Sequence, residues 1–188
     1  VGYSGYPTEK IAKRSNDFRT LGLGFANLGG LFMRLGISYE SEEARGWASS
    51  IMAALTGMAY LTSAEIAEFK GPFREFKKNK SSMLGVLKKH HRHVKKLPVS
   101  TERASRKILS IWTRAIALGS KSGFRNAQVT AIAPTGTIGL LMDCDTFGIE
   151  PEFALTKVKF LVGGGEIRST NQSIEKGLLA LGYTSDQR

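Results

Sequence analysis

A chain of 188 residues that is 41% apolar and 9% aromatic has enough material to build a core of its own, which excludes a disordered or fibrous class. No apolar run reaches transmembrane length, and the opening VGYSGYPTEK contains neither an initiating Met nor an apolar signal segment, so the sequence reads as a cytoplasmic protein cut from something longer. The single cysteine, Cys144, rules out an internal disulfide framework and a cysteine-type zinc site, and makes a reducing, intracellular setting the default.

The net charge of +11 is unevenly placed. Between Lys70 and Lys96 there are ten Lys/Arg and one acid, Glu75. A run of this kind is more often a solvated helix face, and the alternative is a surface for phosphates or an acidic partner.

In chain order, the stretch from Phe18 to Ile37 is apolar and punctuated by glycines at 22, 24, 29, 30 and 36, a composition suited to close backbone packing. Its LGLGFANLGG does not have the GxGxxG spacing of a dinucleotide fingerprint. Ser41 followed by Glu42 and Glu43 predicts a helix start, and Ala44, Trp47, Ala48, Ile51, Met52, Leu55 and Met58 repeat at helical spacing. The pattern continues or restarts through Ser63, Ala64, Ile66 and Ala67 as far as Gly71-Pro72. A second helix is predicted from Ser82 to Leu97, closed by Pro98, and a third from Ser100 or Thr101 that buries Ala104, Ile108, Ile111, Trp112, Ala115 and Leu118. The short apolar run Ala127 to Ala133, bounded by Asn126 and Pro134, predicts a buried strand.

That run leads into Pro134-Thr135-Gly136-Thr137 and a helix-compatible stretch, Ile138 to Met142. Small residues and hydroxyls at a helix N-terminus suit an anion, because first-turn amides lack partners and the helix dipole is positive there. The same four residues equally suit an ordinary strand-to-helix turn with Thr137 as N-cap, and they are not a Walker A loop. His90, His91 and His93 fall short of a zinc ligand set, so no metal is expected. Gly163-Gly164-Gly165 reads either as a flexible turn or as a close-approach loop, and no catalytic task is given to Glu150.

The segment AIAPTGTIGLLMDCDTFGIEPEFAL resembles the phosphate-loop region of ribonucleotide reductase large chains, in which an APTGTI-type turn is followed by GIEP. In the expected order, YPTEKIAKRSNDFRTLGLGFANLGGLFMRLGISYESEEAR, AYLTSAEIAEFKGPF and GGGEIRSTNQSIEKGLLALGY are similar to sections of the adenosylcobalamin-dependent class, from about Tyr6 to Tyr183. The resemblance implies an α/β fold: residues 1–188 as the second, C-terminal half of a ten-stranded α/β barrel, helix-rich in its first two thirds, with no second complete domain. It implies substrate-phosphate binding by Ala133, Pro134, Thr135, Gly136, Thr137 and Ile138 in an enzyme that reduces ribonucleotides to 2′-deoxyribonucleotides with adenosylcobalamin as cofactor. The thiyl and redox cysteines of that chemistry are expected upstream, so this chain alone would be inactive and its partner would be the N-terminal part or a complementary subunit. Cys144 is expected to be a packing residue. Phe147 departs from the small residue the resemblance leads one to expect. The rival reading is a catalytically silent module on the same half-barrel, binding nucleic acid or another partner through Lys70 to Lys96 without use of the PTGT turn.

Overall fold

The computed structural model describes residues 1–98 and 102–188. They divide into two compact units, residues 1–24 with 49–131 and residues 25–48 with 132–188.

The first unit is a helical layer. Helix α1 spans Glu9–Phe18, capped by Thr8, whose hydroxyl accepts from the Ile11 amide. The sequence reading passed over this helix because its residues are mostly polar. Its anchor is charge: Asp17 is buried and paired at 2.8 Å with Arg74. The predicted long helix is continuous, α3, Glu42–Lys70, with residues 42–48 in the second unit and the rest in the first; Ser41 accepts from the Ala44 amide at its start and Gly71 has positive φ at its end. Between them in sequence lies α2, Leu28–Leu35, which belongs to the second unit. Helix α4, Phe76–Val94, begins six residues before the predicted Ser82. The reason is tertiary: Phe76 is buried edge-on to Phe73 at 5.5 Å and to Phe124 at 6.1 Å, so the helix extends back to seat it. Helix α5 is described over Glu102–Ser122, and its predicted start at Ser100 or Thr101 lies outside the described residues. It buries Ile108, Ile111, Trp112 and Ala115 as the spacing predicts, whereas Ala104 and Leu118 are only half-buried.

Phe73, Leu87, Trp112, Phe124 and Val129 are the largest apolar side chains fully enclosed in this unit. Gly119 is part of the reason Phe124 fits: a Cβ there would stand 1.9 Å from the ring. Gly119→Ala should therefore displace a ring that has nowhere to go and cost about 2 kcal/mol, read as a lower urea midpoint at unchanged slope.

The strand predicted over 127–133 forms only in part. Residues 18–23 run parallel to residues 127–131, joined by bonds of 2.9 Å from the Ala127, Leu21, Leu23 and Ala131 amides, with one bridge, Leu23 to Thr130. Val129 is buried, but Ile132 and Ala133 are exposed, so the burial expected of the whole run stops early. A parallel pair without a third neighbour among the described residues lacks the partners that extend a ladder.

In the second unit α2 packs on α7, Ser173–Ala180, so closely that a Cβ on Gly177 would lie 2.7 Å from the Met33 carbonyl oxygen. Helix α6 is short, Gly136–Leu141. Two strands follow, β1, Thr156–Phe160, and β2, Glu166–Thr170, paired antiparallel with Thr156 opposite Thr170 and Phe160 opposite Glu166. This hairpin was not anticipated. Gly163-Gly164-Gly165 is its turn, with φ of +96°, +100° and +91°, and no described residue lies within 4 Å of the positions their Cβ atoms would take. The described residues thus bear out the helix-rich first two thirds, while of the ten-stranded barrel they show a two-stranded hairpin and no parallel sheet. None of the described helices is long and apolar enough to cross a membrane.

Candidate functional site

The turn singled out in the sequence lies in the second unit. Thr135 is the N-cap of α6, with φ of +54°, and the helix begins at Gly136, so the cap is Thr135 rather than Thr137. A threonine pays for left-handed backbone, and the surroundings hold it there. Its hydroxyl oxygen accepts from the Gly148 amide at 2.6 Å, and its carbonyl accepts from the Gly139 amide. The GIEP motif is thereby tied to the PTGT turn: Gly148 supplies the bond that fixes Thr135. Among the described residues the amides of Gly136, Thr137 and Ile138 make no hydrogen bond, all three residues are exposed, and the Cβ position of Gly136 faces open space. Ala133 and Pro134 are also exposed, at the edge of the turn.

Gly136 and Thr137 line one side of a cleft of about 650 Å³. Leu140, Phe147 and Phe153 form more of its wall, and Lys157, Val158, Phe160 and Ile167 of the hairpin complete it. Phe147, the departure from the expected small residue, is therefore a wall residue, tilted against Phe153 at 6.5 Å and close under Gly139.

Among the described residues Lys157 is the cation that lines this cleft, and sequence reasoning missed it. Its ammonium lies 3.0 Å from Glu152, donates to the Asp145 carbonyl, and stands 5.1 Å and 5.5 Å from the Phe147 and Phe153 ring centres. Glu152 also accepts from the Phe153 and Ala154 amides and from Asn171. The signal for such a residue would have been an alternating strand, TKVKF, following two phenylalanines, and it becomes readable only once the hairpin is known.

Behind the cleft wall, Asp145 is almost fully buried and accepts from the Ser173 hydroxyl, the Gln172 amide at 2.6 Å and Arg34 at 3.1 Å. Burial pushes its carboxyl up, but the bonds from Ser173, Gln172 and Arg34 outweigh it and the pKa ends below the ordinary value of 3.8. The same loop seats on α2. Thr146 accepts from the Gly30 amide at 3.0 Å, and a Cβ on Gly29 would lie 2.7 Å from the Glu150 carbonyl, so the glycines noted in the sequence do serve close packing. Asn27 holds left-handed backbone while its side chain accepts from the Thr146 amide. Glu150 takes no hydrogen bond at Oε2, which is buried beside Gly148. Burial pushes the Cys144 thiol up, and Asp145 and Asp143 add to the effect, so it is poorly suited to act as a thiolate.

The three histidines are on α4, in the first unit. His90 lies edge-on to Trp112, His91 is 3.3 Å from the Thr113 hydroxyl, and His93 is 2.8 Å from the Lys89 carbonyl.

A hydroxyl-bearing turn whose first amides make no hydrogen bond among the described residues offers donors to an anion, beside a cleft with aromatic walls. Residues 1–188 match the family model described as the ribonucleotide reductase barrel domain, and the chain belongs to that family. It is similar to proteins named vitamin B12-dependent ribonucleotide reductase from Agrobacterium fabrum, at 45% identity over 97% of this chain and 16% of the relative, and from Rhodopirellula baltica, at 45% over 99% and 18%. A relative of the same name from Streptantibioticus cattleyicolor is 39% identical over all of this chain and 32% of its own length. The chain thus spans a third or less of each of these relatives.

Proposed function

We propose that this chain supplies the C-terminal half of the catalytic barrel of an adenosylcobalamin-dependent ribonucleotide reductase, and that its turn over residues 133–138 cradles the phosphates of the ribonucleotide. The carrying observation is the set of amides at Gly136, Thr137 and Ile138 that make no hydrogen bond among the described residues, at a turn whose Gly136 and Thr137 line the cleft. In this reading the amides donate to phosphate oxygens, the Thr137 hydroxyl adds a donor, and Gly136 admits the close approach. The Thr135 hydroxyl keeps the turn in shape through Gly148, and the cleft walls at Phe147 and Phe153 exclude water from the bound nucleotide. Adenosylcobalamin supplies the radical when bound. Among the described residues that line the cleft there is no imidazole, and the cation Lys157 is committed to Glu152, which does not fit a corrin, so no residue here is assigned to the cofactor. The cysteines of the reaction and the remaining strands belong to the N-terminal part.

The test is ribonucleotide reduction with adenosylcobalamin and a dithiol, using this chain, a matching N-terminal half, and the two mixed. Activity is expected only in the mixture. Thr137→Val should raise KM for the ribonucleotide roughly tenfold with kcat nearly unchanged, the loss of one charge-assisted hydrogen bond. Thr135→Val should also loosen the turn and lower kcat. A folded, active mixture in which both variants behave as wild type would sink the phosphate-loop assignment.

A further inference from the structure

Most of the cations on α4 and just after its end sit on one side, with Lys80 apart from them on the flank of the buried side. At 3.6 residues per turn, Lys77, Lys78, Lys88, Lys89, Arg92, Lys95 and Lys96 project within an arc of about 120°. The buried Phe76, Met83, Leu87 and Val94 occupy the opposite side. All seven cations are exposed, and α4 contains no acid. Among the described residues only Lys78 of the seven has an ion-pair partner, Glu75 at 2.9 Å. Like charges are instead stacked at i,i+3 and i,i+4: Lys88 with Arg92, Lys89 with Arg92, Arg92 with Lys95 and Lys96, each pair destabilising the free helix. Helix α5, which His90 and His91 meet at Trp112 and Thr113, adds exposed Arg103 and Lys107 near its start. Arg92, His93, Lys95 and Lys96 surround a recess of about 300 Å³.

A solvated face needs cations but has no need for seven of one sign with one acid among them. The repulsion is relieved by a polyanion. Six of the seven are lysines and α4 exposes no Phe, Tyr or Trp. Protein interfaces are enriched in aromatics and Arg and depleted in Lys, and single-strand binders stack bases on aromatics; neither suits this surface. We propose that the outer face of α4 binds the phosphate backbone of double-stranded nucleic acid without regard to sequence, independently of the PTGT turn.

The experiment is fluorescence anisotropy of the full chain with a labelled random-sequence DNA duplex of about 30 base pairs, over a salt series from about 50 to 200 mM. The expected slope of log K against log[salt] is about −4 to −6, from four to seven neutralised phosphates. A variant carrying Lys88→Gln, Lys89→Gln, Arg92→Gln and Lys95→Gln should lose about 3 to 4 of that slope and at least a hundredfold in affinity at the lowest salt. Neutralising Lys10, Lys13 and Arg14 of α1 should change both far less. The α4 variant should melt no lower than wild type, since repulsions are removed; should it fail to fold, Lys89→Gln and Arg92→Gln singly should each reduce the slope by about one. No binding at 50 mM salt, a slope untouched by the α4 changes, or equal competition by polyglutamate at the same charge concentration, which would mark an acidic protein partner, overturns the proposal.

Discussion

Trp112→Ala is expected to lower the stability of the first unit by about 3–5 kcal/mol, the range for removing a large aromatic side chain from a close-packed interior. Trp112 is 1% exposed, its indole N–H donates to the Ala53 carbonyl at 2.9 Å, and its ring lies so near α3 that a Cβ on Gly57 would stand 2.7 Å from Nε1. Alanine would leave a cavity bordered by α3 and by His90 of α4, and neither helix can collapse into it without breaking its other contacts. Trp112→Phe separates the two contributions: it fills most of the volume but gives up the hydrogen bond, and should cost about 1–2 kcal/mol. Chemical denaturation of the two variants checks this. Equal losses would mean that the bond to Ala53, and not the volume, is what holds the ring.

Asp145→Ala should unseat the second unit, at a cost of about 2–4 kcal/mol, because it removes at once the acceptor of the Ser173 hydroxyl, the Gln172 amide and one Arg34 N–H, leaving only the bond from Arg34 Nε to the Ser173 oxygen at 2.8 Å. Arg34 is partly exposed and recovers some hydration, which keeps the figure below that of a fully buried pair. The dependence on pH has a definite sign. The Asp145 pKa is lower in the folded chain than the ordinary 3.8, so the unfolded chain takes up its proton first as pH falls. The stabilisation is complete above the ordinary value and is lost as the pH drops below it through the native pKa. Thermal melts between about pH 6 and pH 2 should show wild type losing stability faster than Asp145→Asn below pH 3.8, and the two curves running parallel above it. Parallel curves throughout would mean that Asp145 contributes no charge-dependent stability.

The helices were legible where one side of a helix is apolar and the other is not. Ser41 fixes the start of α3, but the spacing from Ala44 to Met58 does not give its buried face: of those residues only Ala44 is buried and Met58 is exposed, while Ala53, Tyr60, Leu61, Ala64 and Ala67 are the enclosed side. For α5, Trp112 and its neighbours do mark the buried face. Helix α1 was not legible because its buried residue is Asp17, whose burial depends on Arg74, 57 positions away. The first turn of α4 depends likewise on Phe73 and Phe124. The run 127–133 has strand composition, but composition says nothing about whether neighbours are there to pair with. At the candidate site the PTGT turn and its glycine were readable, because local backbone chemistry governs them. The role of GIEP was not: the bond from Gly148 to Thr135 joins residues thirteen apart, and Lys157 enters the cleft only through a hairpin whose turn is three glycines.

The two units rest on apolar burial to different degrees, and temperature should tell them apart. Among the described residues each unit buries four polar side chains, Asp17, Thr56, Ser63 and Asn126 in the first and Asp145, Thr146, Asn171 and Ser173 in the second, but the first encloses many more apolar ones, around Trp112 and Phe124, than the second, which buries Leu28, Phe32 and Ala44. Exposure of apolar surface raises the heat capacity of unfolding and exposure of polar surface lowers it. On cooling toward 0 °C the helical layer should therefore lose stability more steeply than the loop that carries the PTGT turn, and amide exchange in the cold should reach α3 and α5 sooner, relative to α2 and α7, than it does at 25 °C.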